Sequence, residues 1–189
     1  NSGAVQVIPP PDFSGIMTIT IEAVATNAFL MRASTGSTPV DILVDPVADG
    51  VAISATPDAG FEDMPVALNV SLAERDIDGS EDIGAFTYFQ LSDGATLIGG
   101  YAAGGAGGPA AGIVGTNLVG FIRVPTADVP GLEMQPALNW HGTVTVTVAA
   151  FSVEPVDPTP DPDNTLLETS SFTVNVAAVA DAPIVTAPV

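Results

Sequence analysis

GTVTVTVA, residues Gly142–Ala149, and IMTITIEAV, residues Ile16–Val24, decide the fold. In both stretches apolar residues alternate with polar ones, mostly threonine, so the period is that of a strand and not of a helix. Successive side chains on a strand point to opposite faces, so each stretch has one face to bury and one to leave in water. MPVALNVSL (Met64–Leu72) and SSFTVNVA (Ser170–Ala177) repeat the pattern. Shorter candidates are Val40–Val44, Val51–Ala55, Ala85–Leu91, Thr96–Ile98 and Leu118–Val124. Pro and Gly stand in almost every gap between them, and no amphipathic segment is long enough for a core helix. About seven to nine short strands so spaced predict an all-β fold, an antiparallel sandwich.

The composition bounds the function. The chain has 189 residues, enough to bury a core without disulfide staples. It has no cysteine, which excludes thiol catalysis, disulfides and Cys-ligated metals. It carries 22 acidic residues against three arginines and no lysine, a net charge of −19. Such a chain repels nucleic acid and anionic lipid, and it attracts divalent cations. The apolar fraction of 47% against 13% charged is that of a globular protein and not of a disordered acidic tail. No apolar run approaches the roughly 20 residues of a membrane span, so membrane insertion is not expected. No signal peptide is visible. The chain opens in mid-pattern at Asn1, as a fragment or processed product is expected to.

The sequence also repeats itself. Residues Pro9–Asn27 match Gln135–Glu154, with Phe13 on Trp140 and Gly15 on Gly142, at an offset of 127. The stretch around Asp41–Gly50 recurs around Val174–Pro183 at an offset of 132, so that the VAD of Val47–Asp49 falls on the VAD of Val179–Asp181. The five extra residues fall in the loop after Glu154. A repeat of about 130 residues follows, one sandwich per period. Residues 1–47 read as the last part of a preceding repeat, 48–180 as one complete repeat, and 181–189 as the linker and start of the next.

VADAP (Val179–Pro183), its copy VADG (Val47–Gly50), GFEDMPVALNV (Gly60–Val70), DIDGSED (Asp76–Asp82) and the aromatic-x-Gly ahead of a Thr/Val strand recur in order. This order resembles the tandem cadherin-like and immunoglobulin-like extender repeats of giant bacterial RTX-type biofilm adhesins. The resemblance covers the complete repeat and both flanks. It implies Greek-key β-sandwiches joined by short linkers. It also implies calcium at each junction, where Ca²⁺ stiffens a string that holds a binding region away from the cell. The location so implied is extracellular, at the bacterial cell surface. The chain departs from the pattern in two places. Asp49 is followed by Gly, not Ala-Pro, and the loop Gly99–Gly112 has seven glycines in fourteen residues.

Nine of the 22 acidic residues lie between Asp49 and Asp82, opposed there by Arg75 alone. Asp76-Ile77-Asp78-Gly79-Ser80-Glu81-Asp82 has the make-up of a calcium loop. Hard Ca²⁺ takes six to eight oxygens, and alternate acids about a Gly turn can converge them. It is not an EF-hand. A DxDG sequence alone fits a solvated hairpin turn equally well; the resemblance and the missing counter-charge favour calcium. Sandwich geometry places the ligands. The loops at 73–83 and 153–169 sit at the N-terminal junction, where Asp76, Asp78, Glu154 and Asp157 can meet linker Asp49. At the other end Glu62 is expected to face linker Asp181. Asp161 and Asp163 lie in a Pro-rich loop that reads as solvated.

Trp140 reads as a core plug at a sheet end, as does its counterpart Phe13. His141 is the one histidine and has no catalytic or zinc-binding partners in the pattern, and no nucleophile elbow or phosphate loop occurs. The expectation is a non-enzymatic, calcium-rigidified extender. Its partners are calcium ions and neighbouring repeats of the same chain or other copies. A second reading is a subunit of an extracellular filament or surface layer, in which strands of another copy complete residues 1–47 head to tail. A third, a carbohydrate-binding module, is disfavoured by only 11 aromatic residues, several in core phase.

Overall fold

A computed structural model describes residues 4–29, 31–76, 79–98, 118, 120–155 and 164–183. The strands are β1 (Gly15–Thr26), β2 (Arg32–Val44), β3 (Val51–Ala55), β4 (Gly60–Phe61), β5 (Val66–Ala67) and β6 (Val70–Glu74). They continue with β7 (Asp82–Leu91), β8 (Thr96–Ile98), β9 (Ile122–Pro125), β10 (Glu133–Gln135), β11 (Gly142–Val153) and β12 (Thr165–Ala177). Among the described residues helix is confined to 3-10 turns, at Thr126–Gly131 and at Asn164, and no helix is long and apolar enough to cross a membrane. The protein is therefore all-β.

Four sheets result. β1 and β2 form a two-stranded sheet of their own. The largest sheet has the order β4-β12-β11-β7-β9; beside it lie β5-β10-β8 and β3-β6. Every pairing is antiparallel except β12 with β4, which is parallel at Val176–Gly60 and Ala177–Phe61. That exception departs from the purely antiparallel expectation. Only two residues of β4 reach the edge of β12.

One core joins three of these sheets. Val144, Val146 and Val148 of β11 and Val174 and Val176 of β12 point inward. They meet Val66, Leu68, Val70, Phe89, Leu97, Leu132 and Met134, all buried. This is the alternation of GTVTVTVA made physical, since the threonines between the valines face out. Trp140 packs against the edge of this core, as the sequence implies. On the far side of the large sheet a smaller cluster holds Tyr88, Leu118, Phe121 and Ala149, with Phe151 edge-on to Tyr88. Burial raises the Tyr88 phenol above its ordinary value, and the Arg123 charge partly opposes this.

The expected strand Met64–Leu72 is two strands. β5 pairs with β10, β6 pairs with β3, and Leu68 and Asn69 stand between them. Asn69 has a φ of 48°, a left-handed conformation that Asn tolerates better than most residues. That single residue lets the chain leave one sheet for another while Leu68 stays fully buried. β2 is longer than the expected Val40–Val44, because Arg32–Pro39 carries no apolar alternation and is held as strand by its pairing with β1.

Candidate metal centre

The end of the fold at which β3 starts is assembled by register. Val153 is paired with both Asp82 of β7 and Thr165 of β12, and Val51 with Glu74 of β6. The ends of β6 and β11 therefore lie at the start of β3, as expected from strand order. Glu81 and Glu154 each lie one residue beyond the Val153–Asp82 pair, so they stand opposite one another on adjacent strands. Both are buried, at 3% and 5% exposure. Glu154 shares its face with Ser152, two residues before it on the strand. The backbone N–H of Gly50 donates to Ser152 Oγ and to Glu81 Oε1, at 3.1 Å in each case. The N–H of Asp49 donates to Glu81 Oε1 at 2.8 Å.

Glu81 thus clamps the linker into the unit with one oxygen. Hydrogen bonds to a buried carboxylate are charge-assisted and contribute about 1.5–3 kcal/mol each. Its other oxygen, Oε2, is buried and has no hydrogen-bond partner among the described residues; Asn164 Oδ1, next to β12, is in the same condition. Gly50 makes the close approach possible. Its φ is +96°, and a Cβ there would come within 2.9 Å of Glu168 Oε1. The Gly that departs from the linker pattern is required by this geometry. Glu168 in turn accepts from Arg75 Nη1 at 3.1 Å.

Just outside, a cleft of about 300 Å³ lies between this end and the β1–β2 hairpin. Asp12, Asp45, Asp49 and Asp76 line it together with Ser14 and Ser80, and no arginine does. Ser80 Oγ donates to Asp76 Oδ2 at 2.8 Å, closing the turn.

Of the sequence-derived ligands, Asp49, Asp76 and Glu154 lie at this end. Asp78 and Asp157, with Asp161 and Asp163, fall outside the described residues. Among the described residues, no group of three or more His, Cys, Asp or Glu side chains is close enough together to hold a metal ion. Glu62 lies at the opposite end, as expected. It is buried at 6% exposure, its Oε1 accepts from the linker N–H of Val179 at 2.5 Å, and its own N–H donates to Ala177. It meets the linker through backbone, two residues ahead of the exposed Asp181. His141 Nδ1 stands 3.7 Å from Glu62 Oε2.

Glu81 escaped the sequence reading. It sits inside the quoted DIDGSED, but the DxD alternation drew attention to Asp76 and Asp78. The available signal was its place one residue ahead of a strand, on the same face as Ile83. What the residues present offer is a set of hard oxygen donors, two of them, Glu81 Oε2 and Asn164 Oδ1, buried without a hydrogen-bond partner among the described residues. That donor chemistry fits Ca²⁺ or a similar hard cation. A comparison with protein-family models and with curated proteins finds no match to the chain.

Proposed function

We propose that the chain is a non-enzymatic, calcium-rigidified extender segment of a secreted bacterial cell-surface adhesin. In this reading residues 48–180 are one cadherin-like or immunoglobulin-like Greek-key sandwich in a tandem series outside the cell. The observation that carries it is the buried Glu81 at the junction end, whose Oε2 lacks a hydrogen-bond partner among the described residues, with the buried Glu154 at the end of the neighbouring strand. A buried carboxylate oxygen without a hydrogen-bond partner, as at Glu81 Oε2, opposes folding until a cation joins it. Bound Ca²⁺ supplies charge neutralisation and a cross-link between the linker and the loops. The residues that would hold it are Glu81 and Glu154, with Asp49, Asp76, Asp78 and Asp157 as the further acids of that end. The chain's own part is done by Glu81, which holds the linker by backbone hydrogen bonds and so sets the angle at which one unit leaves the next. At the far end Glu62 does the same for residues 177–179.

A calcium titration followed by melting temperature tests the proposal. Binding to the native state alone adds about 2.7 kcal/mol at a hundredfold excess over Kd. Melting should rise with calcium and fall with EDTA, and Glu81→Gln should remove most of the calcium-dependent part. A flat titration sinks the reading.

The open edges of the two-stranded β1–β2 sheet favour a second reading, a filament or surface-layer subunit joined by strand complementation between copies. Under that reading the purified chain forms open-ended oligomers; a monomer in solution excludes it.

A further inference from the structure

We infer that the apolar face of the β1–β2 hairpin is one wall of a second core, whose other wall is a sheet of the make-up that residues 51–135 form over β11–β12. The inference rests on the tandem-unit part of the proposed function and is independent of calcium.

The two hairpins have the same register. Gly15–Val44, Met17–Ile42, Ile19–Val40 and Ile21–Thr38 are paired in the first. The offsets of 127 and 132 turn these into Gly142–Val176, Val144–Val174, Val146–Phe172 and Val148–Ser170, which are the pairs observed in the second. In the second hairpin Val144, Val146 and Val148 are 0% exposed and Val174 is 1% exposed, with Phe172 partly buried against the same core. In the first hairpin Ile21 is 52% and Val40 39% exposed, and Met17, Ile19, Ile42 and Val44 are half-buried. The same pairing and the same apolar face therefore stand without the cover.

The side chains also balance in volume. Relative to β11–β12, methylenes are gained at Met17, Ile19, Ile21 and Ile42. They are lost where Val40 replaces Phe172 and Phe13 replaces Trp140. Cores tolerate such exchanges when the total volume is kept, so a sheet shaped for one hairpin fits the other. The free edges match too. β11 pairs antiparallel with β7 at Val146–Leu91 and Val148–Phe89, so the open edge of β1 takes a like strand opposite Ile19 and Ile21. β12 takes β4 in parallel at Val176–Gly60, so β2 takes a like pair of residues at Val44. A second copy of the chain does not offer this cover, because its own sheet is filled by its own β11–β12.

The test is a chain in which a second copy of residues 48–134 is placed ahead of residues 8–189, with amide exchange measured in calcium and in EDTA. Amides of residues 17–21 should then exchange as slowly as those of 144–148, and binding of a hydrophobic dye should fall below that of the 189-residue chain. Ile19→Asp should restore fast exchange in the hairpin of the extended chain while 142–177 stays protected. Fast exchange at residues 17–21 in the extended chain overturns the inference, whether the added segment folds without the hairpin or does not fold. Slow exchange there in the unextended chain, with a dimeric mass, also overturns it and assigns the face to a second copy. A flat calcium response beside slow exchange removes the calcium reading alone.

Discussion

Two hairpins in this protein share a pairing register and differ in everything that register does not decide. β11–β12 lies at the centre of a five-stranded sheet, with its valines sealed under β5, β6, β8 and β10. β1–β2 stands as its own sheet, with Ile21 and Val40 open to water. The difference teaches that cross-strand pairing and burial are separate achievements. Register follows from alternation and from the hydrogen-bond ladder. Burial needs a partner sheet, and an isolated two-stranded hairpin is marginal in water.

The largest expected effect breaks the comparison open. Val146→Asp places a charge in a sealed core and should unfold the complete unit, a loss of more than about 4 kcal/mol in urea denaturation. Ile19→Asp, at the matching position, should change that transition by less than about 0.5 kcal/mol. Equal losses would show that β1–β2 belongs to the same cooperative core. Next comes the joint between the hairpins. Glu81→Ala removes the acceptor of the Asp49 and Gly50 N–H groups and should destabilise the complete unit by about 1–3 kcal/mol. Scattering should also show a wider spread of angles between hairpin and unit; an unchanged spread removes Glu81 as the clamp. Gly50→Ala combines a left-handed φ with the approach of Glu168. A loss of about 1–3 kcal/mol is expected, read by thermal melting. Removing the Glu168 carboxylate should recover only the steric part. The smallest effect is on the wet face. Thr147 and Ser171 share a hydrogen bond of 2.9 Å across β11–β12, while the matching pair in the first hairpin is Thr20–Pro39, which cannot make it. Thr147→Val should therefore stay within about 0.5 kcal/mol.

Much of the fold was legible because alternation is a local property. Val51–Ala55 and Thr96–Ile98 are strands at their expected bounds, and β1, β7, β11 and β12 begin or end only a few residues away. The split of Met64–Leu72 was not legible, because VALNVSL alternates without a break. It is the choice of β10 by one half and β3 by the other that divides it. The site was legible in part. That Asp49, Asp76 and Glu154 share one end follows from strand direction, and that Glu62 lies at the other follows likewise. Glu81 was not, because a carboxylate that clamps a linker 31 residues away looks in sequence like any acid in a turn.

By itself the sequence determined the all-β class, the repeat, the face each strand turns inward and the acid-rich, cation-poor character of the junction. These depend on period and composition, which are written along the chain. Only the tertiary structure decided which face found a cover, which strand changed sheets at Asn69, and which glutamate holds the linker. Each of those depends on residues far apart in sequence meeting in space, and the energy of burial exists only once they have met.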